Sequence, residues 1–190
     1  MFSEKWKEEL FTIPNLLSVL RIALTPVYIS LYLKATKEED YLLAGSVLAF
    51  SCITDVADGI IARRFHWITN VGKILDPLAD KLTQFTLILC LSVRYPVLYP
   101  VLILFLTKEL FQCGALLFFA KKVKVLPGAL FPGKICTTIL FISLMLLVFF
   151  PTMQISWVIL ITWMDLTFLL FSFGSYLWAY LGSKNCLTDL

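Results

Sequence analysis

Apolar runs alternate with short polar breaks along most of the chain. A run of about twenty apolar residues crosses the roughly 30 Å hydrocarbon core of a bilayer as a helix. The first run opens at Pro14-Asn15 and extends to about residue 33. Residues 34–40 form a polar loop, and the second run covers 41 to about 64. Residues 65–70 make a tight connection, and the third run extends from about 71 to 93. Residues 94–100 contain two prolines and read as a turn. The fourth run follows to about 120, then a basic loop at 121–124. The fifth opens after Pro132, at Gly133, and the sixth covers roughly 155 to 181. This pattern predicts an all-α polytopic membrane protein with six transmembrane helices. Ahead of them, Phe2, Trp6 and Leu10 recur at helical spacing in the charged segment 1–12. That predicts a short N-terminal amphipathic helix lying on the membrane surface.

Composition supports the membrane reading and narrows the classes. Apolar residues make up 59% of the 190, against roughly 45–50% in soluble proteins. The length suits one membrane domain, 1–190, without repeats or linkers. A net charge of +3 is mild, and no basic cluster carries interleaved aromatics, so no nucleic-acid partner is expected. The N-terminal segment lacks an apolar stretch followed by a small-residue cleavage site, which excludes a signal peptide. Cys52, Cys90, Cys113, Cys136 and Cys186 are scattered without metal-ligand spacing and read as small buried hydrophobes.

The chemistry concentrates between residues 55 and 80. Asp55, Asp58, Asp76 and Asp80 stand at the edges of apolar runs, where a charge is costly unless compensated. Asp55 and Asp58 are three apart, Asp76 and Asp80 four apart; on a helix each spacing puts both side chains on one face. Two such faces brought together would gather four carboxylates. All-oxygen ligation favours a hard cation, Mg²⁺ or Mn²⁺, and two such ions would make a phosphoryl-transfer centre. Gly59, Ala62 and Gly72 are small enough to admit a flat ligand or a neighbouring helix. Arg63 presents a planar fork suited to phosphate.

These eight residues match the pattern D-x-x-D-G-x-x-A-R-x8-G-x3-D-x3-D without a gap or substitution. The chain thereby resembles the CDP-alcohol phosphatidyltransferases, membrane enzymes of phospholipid synthesis. The resemblance implies transfer of a phosphatidyl group from CDP-diacylglycerol to an alcohol, with release of CMP. It implies metal binding by Asp55, Asp58, Asp76 and Asp80, with Asp80 also the general base. It implies that Gly59, Ala62, Arg63 and Gly72 admit the CDP moiety. A homodimer is the family expectation.

Other polar residues gain meaning from this resemblance. Asn15, Ser18 and Arg21 recur at i, i+3, i+6. Asn15 and Ser18 are candidates for the nucleotide. Arg21 either snorkels to the interface or holds a phosphate; we favour the phosphate. Gly133-Lys134-Ile-Cys136-Thr137 looks like the Gly-Lys-x-Lys-Thr of phosphatidylglycerophosphate synthases, with Cys136 in place of the second lysine. With Arg21, Lys81 and Lys108, Lys134 supplies cations for a dianionic acceptor, glycerol 3-phosphate. Lys108-Glu109 stands where relatives often have Arg-Glu, and reads equally as an internal ion pair. Asp165 reads as a packing residue, Ser172 and Tyr176 as partners one turn apart, and His66 as a surface loop residue. Pro77 is expected to bend the third span beside Asp76 and Asp80.

The distribution of Lys and Arg gives a topology. With the N-terminus inside, the cytoplasmic face collects Lys5, Lys7, Arg63, Arg64, Lys73, Lys121, Lys122, Lys124, Lys134 and Lys184; the other face has Lys34, Lys37 and Arg94. Both halves of the motif, with Arg21 and Lys134, then share the cytoplasmic face. The absence of a targeting peptide suggests a bacterial inner membrane. A cardiolipin synthase of the same family, accepting phosphatidylglycerol, is the runner-up. A cation-coupled transporter would be expected to repeat its interrupted, charged helices in both halves, and only one charged cluster is present. An inactive scaffold is opposed by the complete motif.

Overall fold

Prolines and acidic residues mark where the helices begin. The computed structural model describes residues 12–64, 72–120 and 131–185. Within them every regular element is helical: α1 Ile13–Lys34, α2 Glu38–Arg64, α3 Gly72–Arg94, a 3-10 turn Pro96–Leu98, α4 Tyr99–Ala120, α5 Phe131–Phe149 and α6 Ile155–Asn185. Pro14, Pro96, Pro100 and Pro132 all sit in first turns, where a missing N–H deprives the helix of nothing. Pro77 lies inside α3, which continues through it to Arg94. The expected surface helix over 1–12 lies essentially outside the described residues, as do His66 and the basic loop 121–124.

The α1–α2 connection shows how local chemistry closes a hairpin. Glu38, Glu39 and Asp40 occupy the first turn of α2, where negative charge suits the helix dipole. The Asp40 carboxylate accepts the backbone N–H groups of Lys37 and Thr36, each at 3.0 Å, the reach-back half of a capping box. These donors, Lys37 first, hold the Asp40 carboxyl below its ordinary range. Tyr41 donates its hydroxyl to the carbonyl of Ala35 at 3.1 Å, and its ring meets Tyr32 edge-on at 5.3 Å.

The chain divides into two compact units. The first comprises Met1–Cys90 and Val148–Thr152. There α1 packs on α2, over a core that includes Tyr28, Tyr32, Ala44, Leu48, Ala79, Leu87 and Ile88. Gly45 permits close approach: a Cβ at that position would meet Val148 and Phe149 at 3.2 Å. The second unit comprises Leu91–Leu147 and Met153–Leu190. There α4 packs on α6, with Leu98, Val101, Phe105, Leu140, Leu144, Val158 and Leu169 buried. Phe111 and Phe173 pin these two helices edge to face at 5.4 Å.

Among the described residues, three helical segments are long and apolar enough to cross a membrane: Asn15–Lys34, Pro96–Ala115 and Ile155–Trp178. The other helices differ for identifiable reasons. α2 and α3 carry the acidic motif, and the apolar part of α5, Ile135–Phe149, is shorter. Large apolar side chains point outward on these elements, among them Trp157, Trp163, Phe171 and Trp178 on α6. So much exposed apolar surface suits contact with lipid rather than water. Cys113 belongs to this outward set. Its exposure corrects the expectation that every cysteine is buried, because an outward position on an apolar helix suits a small hydrophobe equally well. Cys90 and Cys136 are buried, and Cys52 is partly so.

Candidate active site

α1 turns the usual amphipathic pattern inside out. Asn15, Ser18 and Arg21 are buried, at 1%, 0% and 2% exposure, while Leu16, Val19 and Leu20 face outward. A helix in lipid gains by sending its apolar side chains out and keeping its polar ones among protein partners. Those partners are carboxylates of α3. Ser18 Oγ donates to Asp76 Oδ1 at 2.5 Å, and Arg21 Nη1 donates to Asp80 Oδ1. Two polar groups one turn apart on α1 thus meet two carboxylates one turn apart on α3. Arg21 is buried, whereas half of the Asp80 side chain (51%) is exposed. The ion pair is closed on the guanidinium side and open on the carboxylate side.

Ser18 and Arg21, expected at the nucleotide and at a phosphate, thus also engage the motif's own acids. A buried guanidinium needs a counter-charge, and in this unit the counter-charge is Asp80. Spacing alone held a hint: Ser18 and Arg21 repeat on α1 nearly the interval of Asp76 and Asp80 on α3.

The remaining motif residues are placed by their backbones. Asp55, Asp58, Gly59, Ala62 and Arg63 all lie on the last turns of α2, their side chains outside the described residues. Gly72 is the buried first residue of α3, and Lys81 is exposed on it. Among the described residues, no three or more His, Cys, Asp or Glu side chains gather to hold a metal ion. The donor set that is described suits a hard cation. Asp76 and Asp80 offer carboxylate oxygens one turn apart on one helix, and such oxygens favour Mg²⁺ or Mn²⁺ over a soft metal.

The second unit holds a separate set of buried polar groups. Lys108, 2% exposed, pairs with Glu109 at 2.9 Å, and its ammonium stands 6.0 Å over the Tyr176 ring. An ion pair within α4 is therefore present beside Tyr176. Asp165 accepts from Ser143 Oγ, 2.8 Å from each carboxylate oxygen. Ser172 and Tyr176 are both buried. Tyr176 presses on the first turn of α5: a Cβ at Gly133 would collide with its hydroxyl and ring. Lys134 is the next residue on that turn, its side chain outside the described residues.

Comparison with known proteins identifies the family. A CDP-diacylglycerol–glycerol-3-phosphate 3-phosphatidyltransferase of Pseudomonas fluorescens is 47% identical over 70 residues, 37% of this chain and 35% of that protein's length. A Mycobacterium tuberculosis protein provisionally named a cardiolipin synthase is 28% identical over 180 residues, 92% of this chain and 81% of its own. A cardiolipin synthase (CMP-forming) of Rattus norvegicus is 45% identical over 97 residues, 50% of this chain and 30% of its own. The long apolar helices are those of an integral membrane protein. The family model described as CDP-alcohol phosphatidyltransferase matches residues 11–171, a stretch that contains the whole acidic motif and its α1 partners, and the chain belongs to that family.

Proposed function

We propose that this protein transfers the phosphatidyl group of CDP-diacylglycerol to glycerol 3-phosphate, releasing CMP. The observation that carries the reading is the pairing of Ser18 with Asp76 and of Arg21 with Asp80, within a motif whose eight positions are all present. A hydroxyl of the acceptor attacks the phosphorus attached to diacylglycerol. A new P–O bond forms, and the bond to CMP breaks with its electron pair leaving on CMP. The hydroxyl's proton passes to Asp80, whose half-exposed side chain is open to an incoming alcohol. Arg21 fixes the orientation of that carboxylate from the buried side, and Ser18 does the same for Asp76. Asp55, Asp58, Asp76 and Asp80 would hold two divalent cations, Mg²⁺ or Mn²⁺, which when bound offset the diphosphate's charge as CMP leaves. Gly59, Ala62, Arg63, Gly72 and Asn15 line the way for the CDP moiety. Lys81 and Lys134 are the cations for the acceptor phosphate.

In this reading all six helices span the membrane, and the motif faces the cytoplasm of a bacterial cell, where the positive-inside distribution sends it. The protein acts as a homodimer. A second reading, a cardiolipin synthase accepting phosphatidylglycerol, has its own support in the mycobacterial and rat relatives. The test is CMP release by purified protein with Mg²⁺ or Mn²⁺, offering glycerol 3-phosphate and phosphatidylglycerol separately, beside Asp80→Asn. Release that requires glycerol 3-phosphate, metal and Asp80 is expected. Release with phosphatidylglycerol alone moves the protein to the second reading, and no release with either alcohol overturns both.

A further inference from the structure

Towards the middle of α1, α2 and α3, just past the carboxylate pairs, the first unit has a small, partly open pocket. Its walls are Leu24, Thr25 and Tyr28 of α1, Val47, Leu48 and Ser51 of α2, and Thr83 and Thr86 of α3. Five of these eight carry a hydroxyl. Tyr28 is 2% exposed, and its hydroxyl, itself out of solvent, has no hydrogen-bond partner. Buried hydroxyls of native proteins are almost always partnered by protein or by ordered water.

The neighbouring hydroxyls say what the missing partner must do. Thr25 Oγ1 donates to the Arg21 carbonyl at 3.1 Å, and Thr83 Oγ1 donates to the Ala79 carbonyl at 2.9 Å. Each has one proton and has directed it to its own helix, so toward the pocket these oxygens offer lone pairs. Tyr28 Oη offers a proton. A ligand that satisfies all three must accept one hydrogen bond and donate two, and it must be small. The pocket leaves about 10 Å³ for the centre of a water-sized sphere, close to the least space that holds one water. An ester carbonyl of a lipid accepts but cannot donate, and a metal ion would meet the Tyr28 proton instead of an oxygen lone pair.

We propose that this pocket is a binding site for one buried water molecule, held by Tyr28, Thr25 and Thr83. The water joins α1 to α3 one turn beyond the Arg21–Asp80 pair, through Thr25 four residues after Arg21 and Thr83 three after Asp80. It does not depend on which acceptor the enzyme uses.

The test is an experimental density map of the full chain, at a resolution that shows ordered waters, for the wild type and for Tyr28→Phe. A rounded peak about 2.7–3.2 Å from Tyr28 Oη and from Thr25 or Thr83 Oγ1, lost in Tyr28→Phe, is the expected result. An empty pocket, or an elongated peak of lipid or detergent, overturns the proposal. Thermal unfolding in detergent reads the same question independently. Removing a hydroxyl that holds a water strands the water and lowers Tm, whereas removing an unpartnered hydroxyl leaves Tm unchanged or raises it, and that second outcome also overturns the proposal. If Tyr28→Phe fails to fold, the wild-type map decides alone.

Discussion

The guanidinium of Arg21 on α1 and the carboxylate of Asp80 on α3 form one ion pair, buried at the arginine and half open at the aspartate. In the proposed reaction Asp80 receives a proton from the incoming alcohol, a task for which an acid must be both reachable and held still, and this asymmetry suits both. Removing the arginine should therefore impair the site through Asp80. We expect Arg21→Met to lower kcat by about 10–100-fold, the range for groups that orient a metal ligand. Mn²⁺ binding, followed by paramagnetic resonance, should weaken with it. Arg21→Lys, which keeps the charge without the planar fork, should recover part of both. A rise in KM for CDP-diacylglycerol with Mn²⁺ affinity unchanged would return Arg21 to a phosphate-binding role.

Gly133 has no room for a side chain, because Tyr176 occupies the space a Cβ would take. Tyr176 is itself buried at 8% exposure and cannot swing freely. Gly133→Ala should destabilise the protein by about 1–3 kcal/mol, as overpacking does, read as a lower Tm in detergent. Adding Tyr176→Ala should cost less than the sum of the two single changes, because the clash is gone. Strictly additive effects would show that the two residues do not compete for this space.

How much of this was legible in the chain depends on what each inference required. Helix positions needed only local signals: the first helix ends at Lys34 and the third at Arg94, at the edges of the loops that the sequence predicts. The α2 helix begins earlier than the apolar pattern indicates, at Glu38, because Asp40 caps a turn made of charged residues. The acids of the motif were legible because charge in an apolar context is conspicuous. The partners of Asp76 and Asp80 were not. They depend on how α1 is rotated about its axis against α3, and α1, apolar over most of its length, carries little periodic signal to fix that rotation. The hydroxyls around Tyr28 were missed for the same reason, since Thr25, Ser51 and Thr83 gain meaning only when three helices face one another.

The cap at Asp40 makes a pH-dependent prediction. Its carboxyl is held below the ordinary range by the Lys37 and Thr36 N–H groups. A group whose folded pKa is depressed stabilises the fold above its unfolded pKa, about 3.9. That stabilisation is lost as pH falls through the lower, folded value. Asp40→Ala should therefore lower Tm relative to wild type at pH 7, and the gap should close as pH falls below about 4. Amide exchange at Thr36 and Lys37 should be faster in the variant at neutral pH. A Tm gap that persists unchanged into acid would mean that the cap acts through something other than the ionised carboxylate.

Asp165 and Ser143 test whether a buried acid in a membrane helix packs or works. Ser143 Oγ has one proton and three acceptors within 2.8 Å, both Asp165 oxygens and the Leu140 carbonyl. Ser143→Ala removes the donor and leaves the acid stranded among apolar neighbours, which should cost about 1–3 kcal/mol. Replacing both partners removes the stranded group as well, so Ser143→Ala with Asp165→Leu should be more stable than Ser143→Ala alone. That reversal follows from the asymmetry of buried polar groups, which are costly to orphan and inexpensive to remove together. If Asp165 only packs, the double variant keeps its rate of CMP release within about twofold, a difference of about 0.4 kcal/mol in the barrier. A double variant that folds stably yet releases CMP more slowly by ten-fold or more would place Asp165 in the chemistry.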